Sequence, residues 1–163
     1  MKENTPLKRH QALVSFSKDH HFALLLIWKI KQGLGKAVSA ERISNYVLAF
    51  FKEDLQQHFT EEEQLLFCKL PEDDALRHQA ETEHKIIYQL VTAIQQNPND
   101  IGLLQQFSDT LDKHIRFEER TLFNHLQDKI GTEELENILK LSEKREHDLM
   151  AQWKDQFWEI APK

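Results

Sequence analysis

Two segments of this sequence repeat one arrangement of a histidine and an acidic residue. His58 precedes Glu62 by four residues, and His114 precedes Glu118 by four residues. Residues four apart lie on the same face of an α-helix, so each pair would present an imidazole and a carboxylate together. Two such pairs on facing helices would surround one point with nitrogen and oxygen donors, the mixture that suits iron, manganese or zinc. The repeat therefore predicts helices that meet at a bound cation.

The hydrophobic pattern supplies the helices that this arrangement needs. Apolar residues recur at steps of three and four in four long segments, at about residues 9–33, 39–70, 71–97 and 100–131. We expect glycine to end the first helix in the left-handed conformation, at Gly33 or Gly35, and Pro71 to open the third. Four long helices with short connections predict an all-α fold, an up-down-up-down four-helix bundle.

A fifth helix is predicted near the C-terminus, at about residues 132–158. Its apolar residues would pack across the outside of the bundle or against a second subunit, which would give a homodimer. A chain of 163 residues suits one domain better than two. We therefore expect a single domain over residues 1–163, with the bundle at about 9–128.

Charge and apolar content restrict the partners. The formal net charge is −6 and no stretch is dense in lysine and arginine, which argues against nucleic acid as a partner. The N-terminal residues have no apolar core, and the longest apolar run is far shorter than a membrane span. The single cysteine, Cys68, fits a reducing compartment. We expect a cytoplasmic protein without a membrane contact.

Further histidines are placed to join the two pairs. His20 or His21 on the first helix and His84 on the third reach the same height in an antiparallel bundle. Burying this many polar groups without a cation would leave several of them unpaired, at a large cost in free energy. The other histidines are expected to be solvated or to cap helices: His10, His78, His125 and His147.

As an ordered set on four helices, these residues resemble the hemerythrin, or HHE cation-binding, domain family. The resemblance covers about residues 9–128 and rests on Asp19-His20-His21, His58-x-x-x-Glu62, His84 and His114-x-x-x-Glu118. It implies an oxo- or hydroxo-bridged centre of two iron ions, with bridging carboxylates and terminal imidazoles. Zinc or manganese are the alternative metals.

Carried over residue by residue, the resemblance implies six metal ligands: His20, His58, Glu62, His84, His114 and Glu118. An acid followed by a histidine favours His20, with His21 as the alternative. The four-residue spacing favours Glu118 over Glu119, because it aligns the side chain with His114. Three further residues are candidates for an additional metal ligand: Tyr88, Glu61 and Glu81.

The third helix departs from the oxygen-carrying members of the family. They have a second histidine four residues from the first, whereas His84 is flanked by Ala80 and Tyr88. We expect at most four imidazoles, divided unequally between the irons. The expected function is a non-catalytic protein that binds or senses O2, NO or iron. The alternative is an enzyme at the same site: a di-iron oxidase, a peroxide- or NO-detoxifying enzyme, or one that repairs iron centres.

Overall fold

The computed structural model describes residues 8–142 and 147–159, and within these ranges the chain forms helices and no strand. The α-helices are α1 (Gln11–Gly35), α2 (Ala40–Phe50), α3 (Gln56–Glu61), α4 (Ala75–Gln96), α5 (Ile101–Phe117), α6 (Phe123–Lys129), α7 (Thr132–Leu141) and α8 (Leu149–Gln152). Three π-helical segments interrupt them: Phe51–Leu55, Glu62–Leu66 and Glu118–Leu122. Phe67–Lys69 and Phe157–Glu159 are short 3₁₀ turns.

The π-helical segments join shorter helices into long ones. Residues 40–69 run on from α2 through α3 and make the second bundle helix, and residues 101–129 make the fourth from α5 and α6. The first bundle helix, α1, contacts α2 and α5, and the third, α4, also contacts both. The four helices therefore close on one another, which confirms the predicted all-α bundle.

The ends of the helices differ in detail from the prediction. The third bundle helix does not begin at Pro71. Its first residue is Ala75, because the Asp74 side chain accepts hydrogen bonds from the backbone N–H groups of Leu76 and Arg77 at 3.0 and 2.9 Å. Its N-terminal turn is capped in this way by a carboxylate, a residue type that suits the positive end of a helix.

Glycine does not supply the left-handed residue at the end of α1, so that prediction is wrong. Helix α1 continues through both glycines, and the left-handed residue is Ala37, with φ of 56°. The Val38 N–H donates to the Gly33 carbonyl at 2.9 Å, which closes the turn as a Schellman motif does.

A polar layer divides the apolar core into two clusters. The larger cluster contains Ile27, Leu55, Ile87 and Leu111. The smaller cluster contains the following residues, one from each bundle helix: Phe16, Leu66, Ala80 and Leu122. The predicted ligands come between these positions on every helix, so close apolar packing above and below holds the polar layer in place.

The C-terminal region is not the single helix predicted at 132–158. Helix α7 packs against α1, but His147, Asp148 and residues 153–156 are not helical, and the four-residue α8 lies between them. Phe157 is fully buried and reaches α1 beside Gly33.

Among the described helices, none is long and apolar enough to cross a membrane. The predicted homodimer and cytoplasmic location stay predictions.

The close approach of Phe157 to α1 requires a glycine at position 33. A Cβ atom there would lie 2.8 Å from Ile43 Cδ1 and 2.9 Å from the Phe157 ring, whereas a Cβ at Gly35 meets nothing within 4 Å. We expect Gly33→Ala to lower the free energy of unfolding by about 1–3 kcal/mol through overpacking. Gly35→Ala should leave it unchanged or raise it by up to about 1 kcal/mol. Urea denaturation measures both, and equal effects would contradict this packing.

Candidate metal centre

All six residues predicted as ligands lie together in the polar layer. Each has at most 3% of its surface exposed, and the two glutamates have none: His20, His58, Glu62, His84, His114 and Glu118. The two alternatives lie elsewhere. His21 is exposed on the surface of α1, and Glu119 contacts the Nδ1 nitrogen of His20 from outside the layer.

The six residues form two groups of four that share both carboxylates. His20 and His58 make one group with Glu62 and Glu118, and His84 and His114 make the other with the same glutamates; within each group the candidate ligand atoms lie within 4.8 Å of one another. The four imidazoles are therefore divided two and two. The unequal division expected from the third helix is not observed.

Each carboxylate connects imidazoles from different helices. Glu62 Oε1 lies 3.1 Å from His58 Nε2 and 3.3 Å from His84 Nε2. Glu118 Oε1 lies 2.6 Å from His114 Nε2, and its Oε2 lies 3.0 Å from His20 Nε2. Each glutamate thus faces one histidine from each group, as a carboxylate shared by two cations must.

The atoms that face the centre lack aligned hydrogen bonds. Among the described residues, the Nε2 atoms of all four histidines and both oxygens of Glu62 and Glu118 are buried without a hydrogen-bond partner. Leaving one such group unpaired typically costs about 1–3 kcal/mol, and more for a charged group. Eight such atoms around one point are consistent with a cation site, because bound cations would accept a lone pair from each of them.

The outer nitrogen of every imidazole is held by a further carboxylate. His20 Nδ1 lies 2.7 Å from Glu119 and His84 Nδ1 lies 2.9 Å from Glu63. The other two contacts are His58 Nδ1 to Asp19 at 2.9 Å and His114 Nδ1 to Glu83 at 2.8 Å. A carboxylate beside Nδ1 accepts a hydrogen bond from the Nδ1–H group and so directs the Nε2 lone pair inwards, as the outer partners of metal-bound histidines do.

These supporting contacts run in one direction around the bundle, because each acid holds a histidine of the next helix. Asp19, which precedes His20 on α1, supports His58 of the second bundle helix, and Glu119 of the fourth supports His20. On α4, Glu83 precedes His84 and supports His114. In the sequence, four of the six ligands have an acid as their immediate neighbour, namely His20, Glu62, His84 and Glu118. These four acids are the outer carboxylates, a signal that the sequence prediction missed. The Glu63 carboxylate contacts His84 although its side chain is 42% exposed.

Both shared glutamates begin a π-helical segment, Glu62–Leu66 and Glu118–Leu122. A π turn contains an extra residue and shifts the register of the helix. At each of these segments, two adjacent glutamates contact different histidines. The first glutamate contacts Nε2 atoms in the centre, and the second contacts an Nδ1 atom outside it. Amphipathic periodicity alone does not show such segments, so the sequence did not predict them.

The charges of this cluster shift the pKa values of the buried groups. Burial opposes the charged form of His20, but Glu118 and Glu119 outweigh it and raise the pKa of His20 to about 10. Similar neighbours raise the pKa of His58, His84 and His114 against the effect of burial. Burial likewise opposes ionisation of Glu118, but the charge of His114 holds its pKa well below the usual range. The proton held by His20 therefore offsets part of the carboxylate charge when no cation is bound.

The other candidate ligands remain outside the two groups. Glu81 pairs with Arg77 at 2.9 Å, Gln57 donates to Glu61 at 3.4 Å, and Tyr88 packs edge-on against Phe51. Among the remaining histidines, His10 caps α1 through its Nδ1 atom, as expected. His147 is neither solvated nor a cap, because it contacts Asp19 at 3.0 Å.

Comparison with known protein families agrees with this geometry. The family model described as the hemerythrin HHE cation-binding domain matches residues 18–126, more than half of the chain. The chain belongs to the hemerythrin HHE cation-binding family. Comparisons with curated proteins and with solved structures gave no significant match. The matched region contains all six residues of the two groups, and it ends before α7.

Two adjacent glutamates in this hemerythrin-like domain offer a matched test of the centre. Because Glu118 belongs to both groups, Glu118→Gln should remove tight binding of both cations. Glu119→Gln should keep the stoichiometry and lower the affinity by roughly 10–100-fold, the usual effect of losing an outer partner. Anaerobic titration with Co²⁺, monitored through the visible absorption of the bound ion, measures the stoichiometry and the affinity in both variants. His21→Ala is the control and should bind Co²⁺ as the wild type does. Equal losses in the two variants would contradict the assignment of Glu118 to the centre.

Cation binding should depend on pH, because a cation and a proton compete for Nε2. A pKa of about 10 for His20 means that this imidazole holds its proton at neutral pH in the metal-free protein. Binding must release that proton, so the affinity should fall as the pH is lowered, by about tenfold per pH unit for each proton displaced. Co²⁺ titrations between about pH 8 and pH 6, with a pH dye in weak buffer, measure affinity and proton release. Binding that is independent of pH would contradict the raised pKa.

Proposed function

We propose that this member of the hemerythrin family is a non-haem di-iron protein that binds or senses O2, NO or a related small ligand. The observation that carries the proposal is the pair of ligand groups that share Glu62 and Glu118. A mononuclear site needs one group of three or four donors. Two groups built around common carboxylates suit two adjacent cations.

The donor types and charges support iron. Each group offers two imidazoles and two carboxylates, and the candidate groups contain no thiolate, since Cys68 is exposed elsewhere. Imidazole with carboxylate suits iron, manganese and zinc. Counting the outer partners, six carboxylates surround the centre: Asp19, Glu62, Glu63, Glu83, Glu118 and Glu119. So much negative charge favours a pair of highly charged cations and stabilises the oxidised state of iron.

Four protein donors for each cation leave room for exogenous ligands. Iron usually accepts more than four ligands, and an open position admits a small molecule or water. The iron pair would supply ligand binding and electron exchange, while the protein directs the imidazoles and excludes bulk water. The absence of a second histidine near His84, where Ala80 and Tyr88 stand, favours reaction with O2 over its reversible carriage. This observation supports the enzyme as the second candidate function.

The proposal predicts close to two iron ions per chain after anaerobic reconstitution, measured by elemental analysis. The oxidised protein should show a ligand-to-metal charge-transfer band that changes when azide is added. Exposure of the ferrous protein to air should oxidise it, and degassing should not restore the ferrous spectrum, because open positions permit further reaction. Uptake of one zinc ion and no iron would contradict the proposal. Recovery of the ferrous spectrum on degassing would instead indicate a reversible carrier.

A further inference from the structure

A small cavity lies against the candidate metal centre. It has about 10 Å³ of space for the centre of a water-sized molecule, close to the least that holds one water. Three of the candidate ligands contribute to its wall: His20, His58 and His114. Most of the remaining wall is apolar and comes from Ala23, Phe50, Leu55, Phe59, Leu111 and Ile115. A diatomic or triatomic ligand could approach the centre from this side.

His147 forms the outer wall of this cavity. Three residues that line the cavity have partly exposed side chains: His147 at 12%, Asp54 at 10% and Asp19 at 9%. The His147 ring stacks on Phe22, with 3.9 Å between the ring centroids. The imidazole therefore lies on the exposed side of the cavity, next to the two aspartates.

His147 also holds a residue that supports the centre. Its Nε2 atom lies 3.0 Å from Asp19 Oδ1, while the other oxygen of Asp19 accepts from His58 Nδ1 at 2.9 Å. Its Nδ1 atom lies 3.4 Å from Asp54 Oδ2. Asp19 thus bridges His147 and His58, with one carboxylate oxygen towards each.

The residues that follow His147 are anchored on the first and second bundle helices. Arg42 donates two hydrogen bonds to Asp155, at 2.6 and 2.9 Å. The Lys29 ammonium lies 4.0 Å from the centroid of the Trp158 ring. These contacts, with the buried Phe157, hold the C-terminal segment 147–159 against the bundle.

We propose that His147 closes the cavity beside the metal centre and positions His58 through Asp19. The proposal rests on the proposed function, because it concerns access of ligands to the same two cations. His147 lies outside residues 18–126 matched by the family model. In this chain, a residue outside the matched domain thus controls both the entry of ligands and the retention of the cation beside His58.

The two effects of His147 can be separated by two substitutions. His147→Ala removes the ring and the contact with Asp19. His147→Phe keeps a ring that can stack on Phe22 but loses the contact with Asp19. The control is His125→Ala, which removes another histidine paired with an aspartate, at 2.7 Å from Asp74, at a place remote from the cavity.

The experiment uses full-length protein whose iron content is measured first. Stopped-flow absorption gives the rate of azide association with the oxidised protein, and a chelator assay gives the rate of iron release. We expect His147→Ala to bind azide several-fold faster and to release iron faster than the wild type. His147→Phe should bind azide at close to the wild-type rate while releasing iron faster. His125→Ala should match the wild type in both.

The outcomes distinguish failure of this inference from failure of the proposed function. A wild-type protein that takes up no iron overturns the proposed function before His147 is tested. An iron-loaded wild type with the same azide and iron-release rates as both His147 variants overturns the role of His147 alone. Thermal unfolding of the metal-free variants shows whether they fold as the wild type does. If His147→Ala fails to fold, an iron-release rate of His147→Phe equal to that of the wild type overturns the positioning role.

Discussion

The burial of two carboxylates, Glu62 and Glu118, in the middle of an apolar bundle sets the conditions that the surrounding residues meet. A buried carboxylate is strongly unfavourable unless opposite charges or hydrogen bonds compensate it. Four imidazoles supply this compensation, one pair on each side. In the metal-free protein, the pKa of His20 is raised to about 10, so this imidazole carries a positive charge. Bound cations would satisfy the same oxygens and the four Nε2 atoms together.

The carboxylates that hold the outer nitrogens explain why the centre uses residues from all four bundle helices. The contacts run in one direction: an acid of the first helix holds a histidine of the second, the second helix holds the third, the third holds the fourth and the fourth holds the first. Each helix is therefore linked to a neighbour through a histidine and an acid. Such a network fixes the imidazole rings, which a preorganised metal site requires.

Helical periodicity predicted the bundle, and the four-residue spacing predicted the two pairs His58–Glu62 and His114–Glu118, because both patterns depend on local geometry. The choice of His20 and the complete set of six residues came from the resemblance to the hemerythrin family. The sequence did not predict which acid each Nδ1 atom would contact, because acids on several helices are within reach and tertiary packing selects among them. The π-helical segments at Glu62 and Glu118 were also missed, because amphipathic periodicity does not show them. The C-terminal segment had helical periodicity at Leu149, Trp153 and Phe157, but in the structure tertiary contacts of Phe157 and Trp158 replace a continuous helix.

Our central proposal is that two cations share Glu62 and Glu118. Anomalous X-ray diffraction from crystals of the iron-loaded protein, recorded at the iron absorption edge, tests this most directly. We predict two peaks inside the bundle, one beside His20 and His58 and the other beside His84 and His114, with both glutamates between them. A single peak, or peaks at surface carboxylates with none in the polar layer, would contradict the account.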